Sequence, residues 1–139
     1  MIYFLCNNYT MRILFISNDL IAGNVARILR NDGHDVKIFI EEKDRRRNFK
    51  EILNKTSDWR IELNWVGKDG LIIFDDIGYG HDQDRLRKDG YNVFGGSLYG
   101  DLLEQDRVLA QNIFEEYGLK SIPSYNFSSV KKAIHFINK

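Results

Sequence analysis

Leu71-Ile72-Ile73-Phe74-Asp75-Asp76-Ile77-Gly78-Tyr79-Gly80, followed after a charged segment by Tyr91-Asn92-Val93-Phe94-Gly95-Gly96-Ser97, is the stretch whose reading decides the fold. Four consecutive apolar residues with β-branched members predict a buried strand rather than an amphipathic helix. Each run stops at acidic or glycine-rich residues, which places carboxylates and permissive backbone at the carboxyl ends of two strands. Open α/β sheets bind their ligands at that edge.

Working outward, Met11-Arg12-Ile13-Leu14-Phe15-Ile16 and Asp35-Val36-Lys37-Ile38-Phe39-Ile40 predict two more strands. Between them Ser17-Asn18-Asp19 offers turn and N-cap residues. Ile21, Val25, Ile28 and Leu29 then follow a helical spacing that closes at Gly33. This strand–helix–strand unit implies a parallel pair with a right-handed crossover. A short helix is expected around Phe49, Ile52 and Leu53. Residues 58–66 fit either alternation or a helical face. A helical turn is preferred, because a strand there would leave only Gly67-Lys68-Asp69-Gly70 before the next one. Asp82–Asp89 predicts a polar helix ending at Gly90. Asp101-Leu102-Leu103-Glu104 has the pattern of a capping box opening a helix that runs to about Tyr117. Ser128 or Ser129 caps a last helix with Val130, Ala133, Ile134 and Ile137 as its apolar stripe. Residues 1–10 read either as an extra edge strand or as the product of an upstream start codon. Together these elements predict an α/β fold with a Rossmann-like parallel sheet.

Composition narrows the function classes. The hydrophobic fraction of 43%, with nine Phe, seven Tyr and two Trp, suffices for a core in a chain of 139 residues. Twenty basic and twenty acidic residues cancel, so nucleic acid and anionic membranes gain no general electrostatic support as partners. Cys6 stands alone, which rules out an internal disulfide and suits a cytoplasmic chain. No stretch reaches membrane-spanning length, and a small-molecule substrate is the expected partner.

The candidate ligand residues are Asp75, Asp76, Gly78, Gly95, Gly96 and Ser97, with Asn18 and Asp19 on the neighbouring turn. Adjacent carboxylates after a buried strand face desolvation and mutual repulsion, which a cation, an amine or hydroxyl groups would relieve. The competing reading makes Asp76 a turn cap and leaves Asp75 solvated. The first strand–helix turn carries Gly23 but no G-x-G-x-x-G, which argues against a standard dinucleotide site. Glu41-Glu42-Lys43-Asp44-Arg45-Arg46-Arg47 reads as a phosphate-binding cluster or, as its alternating charge favours, a solvated connection. His81 has no second histidine nearby, and no residue is assigned a metal-ligating or catalytic role. Asp106-Arg107 interrupts an apolar helix stripe, either for a ligand or interdomain contact or as a solvated pair.

Val93-Phe94-Gly95-Gly96-Ser97 followed by Leu103-Glu104-Gln105-Asp106-Arg107 resembles the apolar–Phe-Gly-Pro-Ser turn and Leu-Glu-x-x-Lys helix start of the phosphoribosylamine–glycine ligase family. Tyr117-Gly118-Leu119 with Ile122-Pro123, and Phe127-Ser128-Ser129 through Ala133-Ile134, resemble the same family's next two landmarks. The resemblance implies a pre-ATP-grasp, substrate-side domain over residues 11–100. Residues 101–139 would be the incomplete, helical opening of an ATP-grasp domain. It also implies ATP and magnesium as cofactors, Arg107 near nucleotide phosphates, and an amine-bearing substrate. A separate ATP-grasp chain or a second copy would be the protein partner. This sequence departs from the pattern where the family has Gly-Pro-Glu, reading Asp75-Asp76-Ile77-Gly78, and where the early lysine is Arg107. The rival is a non-catalytic binding or signalling module on a flavodoxin-like sheet.

Overall fold

The computed structural model describes residues 9–120 and 123–138. Most of residues 1–10 and Ile122 therefore lie outside the described residues, and the two readings of the amino terminus with them. Residues up to Gln105 form one compact unit and residues from Asp106 onward a second.

The first unit is built on five parallel strands: β1 (Arg12–Ser17), β2 (Asp35–Ile40), β3 (Asn54–Thr56), β4 (Leu71–Phe74) and β5 (Asn92–Phe94), in the order β3-β2-β1-β4-β5. The expected α/β, Rossmann-like parallel sheet is present. Ile13 pairs with Val36 on one side and Leu71 on the other, so β1 is bonded along both edges. Alternation along β1 sends Leu14 and Ile16 into one core, with Trp59, Val66, Ile72, Phe74 and Leu86. Ile13 and Phe15 enter the other, with Ala26, Val36, Ile38 and Leu53. β1 is accordingly buried from Ile13 to Ser17, whereas β4 is buried only at Ile72 and Phe74. Unbroken apolar runs predict β1 and β4 as the most buried strands; this holds for β1 alone, because β2 is buried more continuously than β4.

Sequence spacing misplaced the buried face of α1 (Gly23–Asn31). Gly23 and Ala26 are buried, with Ala22 and Leu29 packed beside them, while Ile21, Val25 and Ile28 are exposed. The turn sets this rotation. Ser17 Oγ accepts the N–H of Leu20 at 2.7 Å, Leu20 adopts φ +77°, and the helix starts only at Gly23. Ala26 enters the core, and Gly23 has little room for a side chain, since a Cβ there would lie 3.0 Å from Leu20 and 3.1 Å from Phe49.

The strand β3 was not anticipated, since Asn54-Lys55-Thr56 carries no apolar signal, and it pairs with β2 as a short edge strand. The helix expected near Phe49 is a single turn, with Ile52 and Leu53 both donating to the Phe49 carbonyl. Residues 59–66 are helical as preferred: a 3-10 turn at Trp59–Glu62 runs into α2 (Leu63–Val66). The polar helix α3 (Gly80–Lys88) follows β4.

The single helix expected from Asp101 to Tyr117 is two, α4 (Leu98–Gln105) and α5 (Arg107–Glu116). Asp106 takes an extended conformation between them and its carboxylate accepts the N–H groups of Val108 and Leu109, both at 3.0 Å. It is an N-cap, which explains a charge in the middle of an apolar stripe. The second unit comprises α5 and α6 (Val130–Ile137), the latter capped by Ser129. Phe136 packs its ring on Tyr125 and Phe127, while Val130, Ile134 and Ile137 of the expected stripe are exposed.

Phe15 is fully buried whereas Val25 is half exposed. Phe15→Ala should cost about 3–5 kcal/mol in urea unfolding, while Val25→Ser should stay within about 0.5 kcal/mol of wild type. A large loss in the Val25 variant would show that the spacing-based helix face is the buried one.

Candidate functional site

With strand order β3-β2-β1-β4-β5, the sheet reverses direction of growth between β1 and β4. The turns after these strands meet at that reversal, where α/β sheets of this order form their binding crevice. Here side chains of the two turns tie them together. Asn18 Nδ2 donates to Asp76 Oδ2 at 3.2 Å and to the Ile77 carbonyl at 3.1 Å. Asp75 Oδ2 accepts the Ala22 N–H at 2.8 Å, satisfying the backbone donor of the residue that precedes α1. Ser17, Asn18 and Asp19 therefore do not cap that helix themselves. Asp19 Oδ1 is buried with no hydrogen-bond partner among the described residues.

Beside this junction lies a cleft of about 360 Å³, lined by Phe74, Asp75, Asp76, Ile77, Gly96, Gly100, Asp101 and Glu104. Among the described residues four carboxylates and no cationic side chain line it. Asp101 is buried and accepts the Gly80 N–H at 2.7 Å, which locks the start of α3 to α4. Gly80 is required there, because a Cβ would lie 2.4 Å from the Leu98 Cα. Asp76 Oδ1 also accepts its neighbour's N–H, from Ile77 at 2.8 Å. A carboxylate has about four acceptor positions, so each of these groups keeps capacity for a ligand donor. The lining suits an ammonium or hydroxyl-bearing part of a ligand, while any phosphate on the same molecule would have to lie outside the cleft.

Of the residues nominated from sequence, Asp75, Asp76 and Gly96 line this cleft, and Asn18 buttresses it through Asp76. Ser97 sits at the start of α4, its Oγ accepting the Gly100 N–H at 3.1 Å. Gly78 adopts φ +93° in the turn after β4. Gly95 adopts φ +152°, and a Cβ on it would lie 2.3 Å from Gln83 Oε1. Arg87 holds the carbonyls of Gly95 and Gly96 from outside, at 3.2 and 2.7 Å. Arg107 belongs to the second unit, where its guanidinium donates to Ser124 Oγ at 3.3 Å. Asp101, Glu104 and Gly100 were missed. Their signal is Asp101 and Glu104 one helical turn apart, a spacing that a capping box shares.

Burial holds the Asp75 carboxyl above its ordinary range and outweighs the hydrogen bonds from Ala22 and Ser17, with the Asp76 charge adding to the rise. Tyr79, whose ring packs on Phe74 and whose hydroxyl donates to Glu41 at 3.4 Å, is also pushed up, first by burial and then by the Glu41 charge. Among the described residues no group of three His, Cys, Asp or Glu side chains could hold a metal ion. One exposed arginine in the second unit does not form a triphosphate site, so the described residues do not fit ATP and magnesium by themselves. Among the described residues no helix is long and apolar enough to cross a membrane.

An open parallel sheet of this strand order, flanked by helices, defines a Rossmann-like α/β domain. Among curated proteins, the phosphoribosylamine–glycine ligase of Fusobacterium nucleatum subsp. nucleatum is similar to this chain, 24% identical over 89 residues, covering 64% of this chain and 20% of that protein. That is a distant relationship to a ligase, and the chain spans about one fifth of that relative's length. No protein-family model matches the chain. No solved structure matches it either.

The unfolded Asp75 titrates near 3.8, below its value in the fold. Between the two values the folded state holds more proton, so stability falls as pH rises through that window. Asp75→Asn should remove this fall in urea midpoints measured across acidic pH. An unchanged profile would mean that Asp75 is solvated.

Proposed function

We propose that this chain binds an amine-bearing small molecule in the acidic cleft, as the substrate-side part of an ATP-grasp carbon–nitrogen ligase of the phosphoribosylamine–glycine ligase type. The observation that carries the reading is the cleft itself: Asp75, Asp76, Asp101 and Glu104, with no cation among the described residues that line it, at the carboxyl edge of the sheet. The distant likeness to a ligase whose name specifies an amine and glycine supports the same direction. In such chemistry a carboxylate is joined to an amine through an acyl phosphate, using ATP and magnesium. The cleft's part is to hold and orient the amine. The nucleotide step would need residues beyond those described, with residues 11–100 as the substrate-side domain and 101–139 as the opening of the nucleotide-binding one. A separate ATP-grasp chain or a second copy would then complete the site.

The second reading, a non-catalytic binding module, also has an observation in its favour. Asp75, Asp76 and Asp101 each already accept a hydrogen bond within the fold, as structural staples would. The sheet order departs from the flavodoxin-like one, however, because β3 extends it beyond β2.

An amino-sugar phosphate should bind with an affinity that falls about tenfold in Asp76→Asn and in Asp75→Asn, since each removes one charge from the pairing. Calorimetry against the same sugar phosphate without its amine separates the contributions, and equal binding by both variants and wild type would defeat the assignment.

Incubated alone with ATP, magnesium, glycine and the amino-sugar phosphate, this chain should release no phosphate above background. Phosphoryl transfer depends on cations positioned around the phosphates, and Arg107 is the single group the resemblance offers. Glycine-dependent phosphate release abolished by Arg107→Ala would overturn this.

A further inference from the structure

The same carboxyl edge carries a second cavity of opposite character, beyond the ends of β2 and β3. It measures about 250 Å³ and is lined by Ile38, Ile40, Arg46, Lys55, Thr56 and Ser57. Among the described residues two cations and no carboxylate line it, the reverse of the acidic cleft. The basic run Arg45-Arg46-Arg47 contributes one member only, Arg46, which the 3-10 turn Lys43–Arg47 brings back over the strand end.

Both cations are fixed in place without using all their donors. Arg46 donates from Nε to the Ile40 carbonyl at 2.7 Å and from Nη2 to the Glu41 carbonyl at 3.0 Å. Of five guanidinium N–H groups, these bonds leave the Nη1 edge unused. Lys55 donates to the carbonyls of Arg46 and Asn48, which leaves one of its three ammonium protons. Each side chain has already lost its rotamer freedom to backbone contacts, so an anion arriving there bears little of that entropic cost. The carbonyls satisfy hydrogen-bonding capacity and leave the two positive charges without a counter-charge in the lining. Burial and the neighbouring Lys50 pull the Lys55 ammonium below its ordinary range, as expected where a positive charge lacks compensation. The Glu41 carboxylate is directed elsewhere, accepting the Tyr79 hydroxyl. The cavity is smaller than those that enclose drug-sized ligands, and Ile38 and Ile40 give it an apolar wall.

We propose that Arg46 and Lys55 form a binding site for a phosphoryl group, carried by free phosphate or by a small phosphomonoester, separate from the acidic cleft. The guanidinium edge and the remaining ammonium proton supply charge-assisted donors to the phosphoryl oxygens. Ser57, exposed on the cavity lining, adds a hydroxyl within the same wall.

Titration of the full chain with inorganic phosphate, followed by amide resonances, tests this. Saturable shifts are expected at Arg46, Lys55, Thr56 and Ser57, with Asp75 and Asp76 unmoved. Ser57→Asp places a carboxylate on the lining at an exposed position, so the fold should be retained. It should weaken phosphate binding by about tenfold or more through like-charge repulsion. Glycerol 3-phosphate binding more tightly than phosphate would identify a phosphomonoester as the ligand class. Equal affinity would identify free phosphate. Shifts that never saturate, that sodium chloride reproduces at matched ionic strength, or that survive Ser57→Asp unchanged would overturn the site and leave Arg46 and Lys55 as staples of the edge strand.

Discussion

The Asp75 carboxylate accepting the Ala22 N–H is the contact on which the arrangement of this domain's carboxyl edge depends. It crosses the reversal point of the sheet, joining the turn after β4 to the start of α1. Without it the Ala22 N–H, the donor just before the first helix, would lose its partner. The same carboxylate is largely withdrawn from water, and burial raises its affinity for a proton. One group thus ties two turns together, lines the cleft, and keeps a buried oxygen, Oδ1, with no hydrogen-bond partner among the described residues. Such a group is costly to bury as an anion, and a cationic ligand in the cleft would offset that cost.

The strands were legible because a parallel sheet covered on both faces demands unbroken apolar runs, and Ile13–Ile16 and Leu71–Phe74 supply them. β3 escaped notice for the complementary reason: an edge strand of three residues is held by β2's backbone and needs no apolar code. Its place matters beyond its length. The strands identified from sequence pack in an order compatible with a flavodoxin-like sheet, and β3 alone converts that order to the dinucleotide-binding kind. The face of α1 was misread because spacing arguments weigh large side chains. Crowding by Leu20 and Phe49 instead selects Gly23, and the core takes Ala26, leaving Ile21, Val25 and Ile28 outward.

The site was legible where chemistry and strand end coincide. Asp75, Asp76 and Gly96 could be nominated because a strand's carboxyl end is defined by where its apolar run stops. Asp101 and Glu104 reach the cleft from α4, whose approach depends on Gly80 and on the hydrogen bond between its N–H and Asp101. No local pattern encodes a pairing across that distance in sequence. The Asp106 break was hidden for a related reason, since one carboxylate can end an apolar periodicity by capping the next helix as readily as by meeting a ligand.

Gln83 shows how tightly the β5 end of the cleft is determined. It is fully buried on α3, with neither its amide nitrogen nor its amide oxygen hydrogen-bonded among the described residues. Two such omissions cost about 1–3 kcal/mol each. The amide oxygen occupies the space a side chain at Gly95 would need, and Gly95 holds a backbone angle that favours glycine. Arg87, on the same helix, holds the carbonyls of Gly95 and Gly96. The helix therefore clamps this turn from two directions, through Arg87 by hydrogen bonds and through Gln83 by close packing. The result is a fixed Gly96 backbone on the cleft wall beside Asp75, the rigid support that a binding edge on short strands requires.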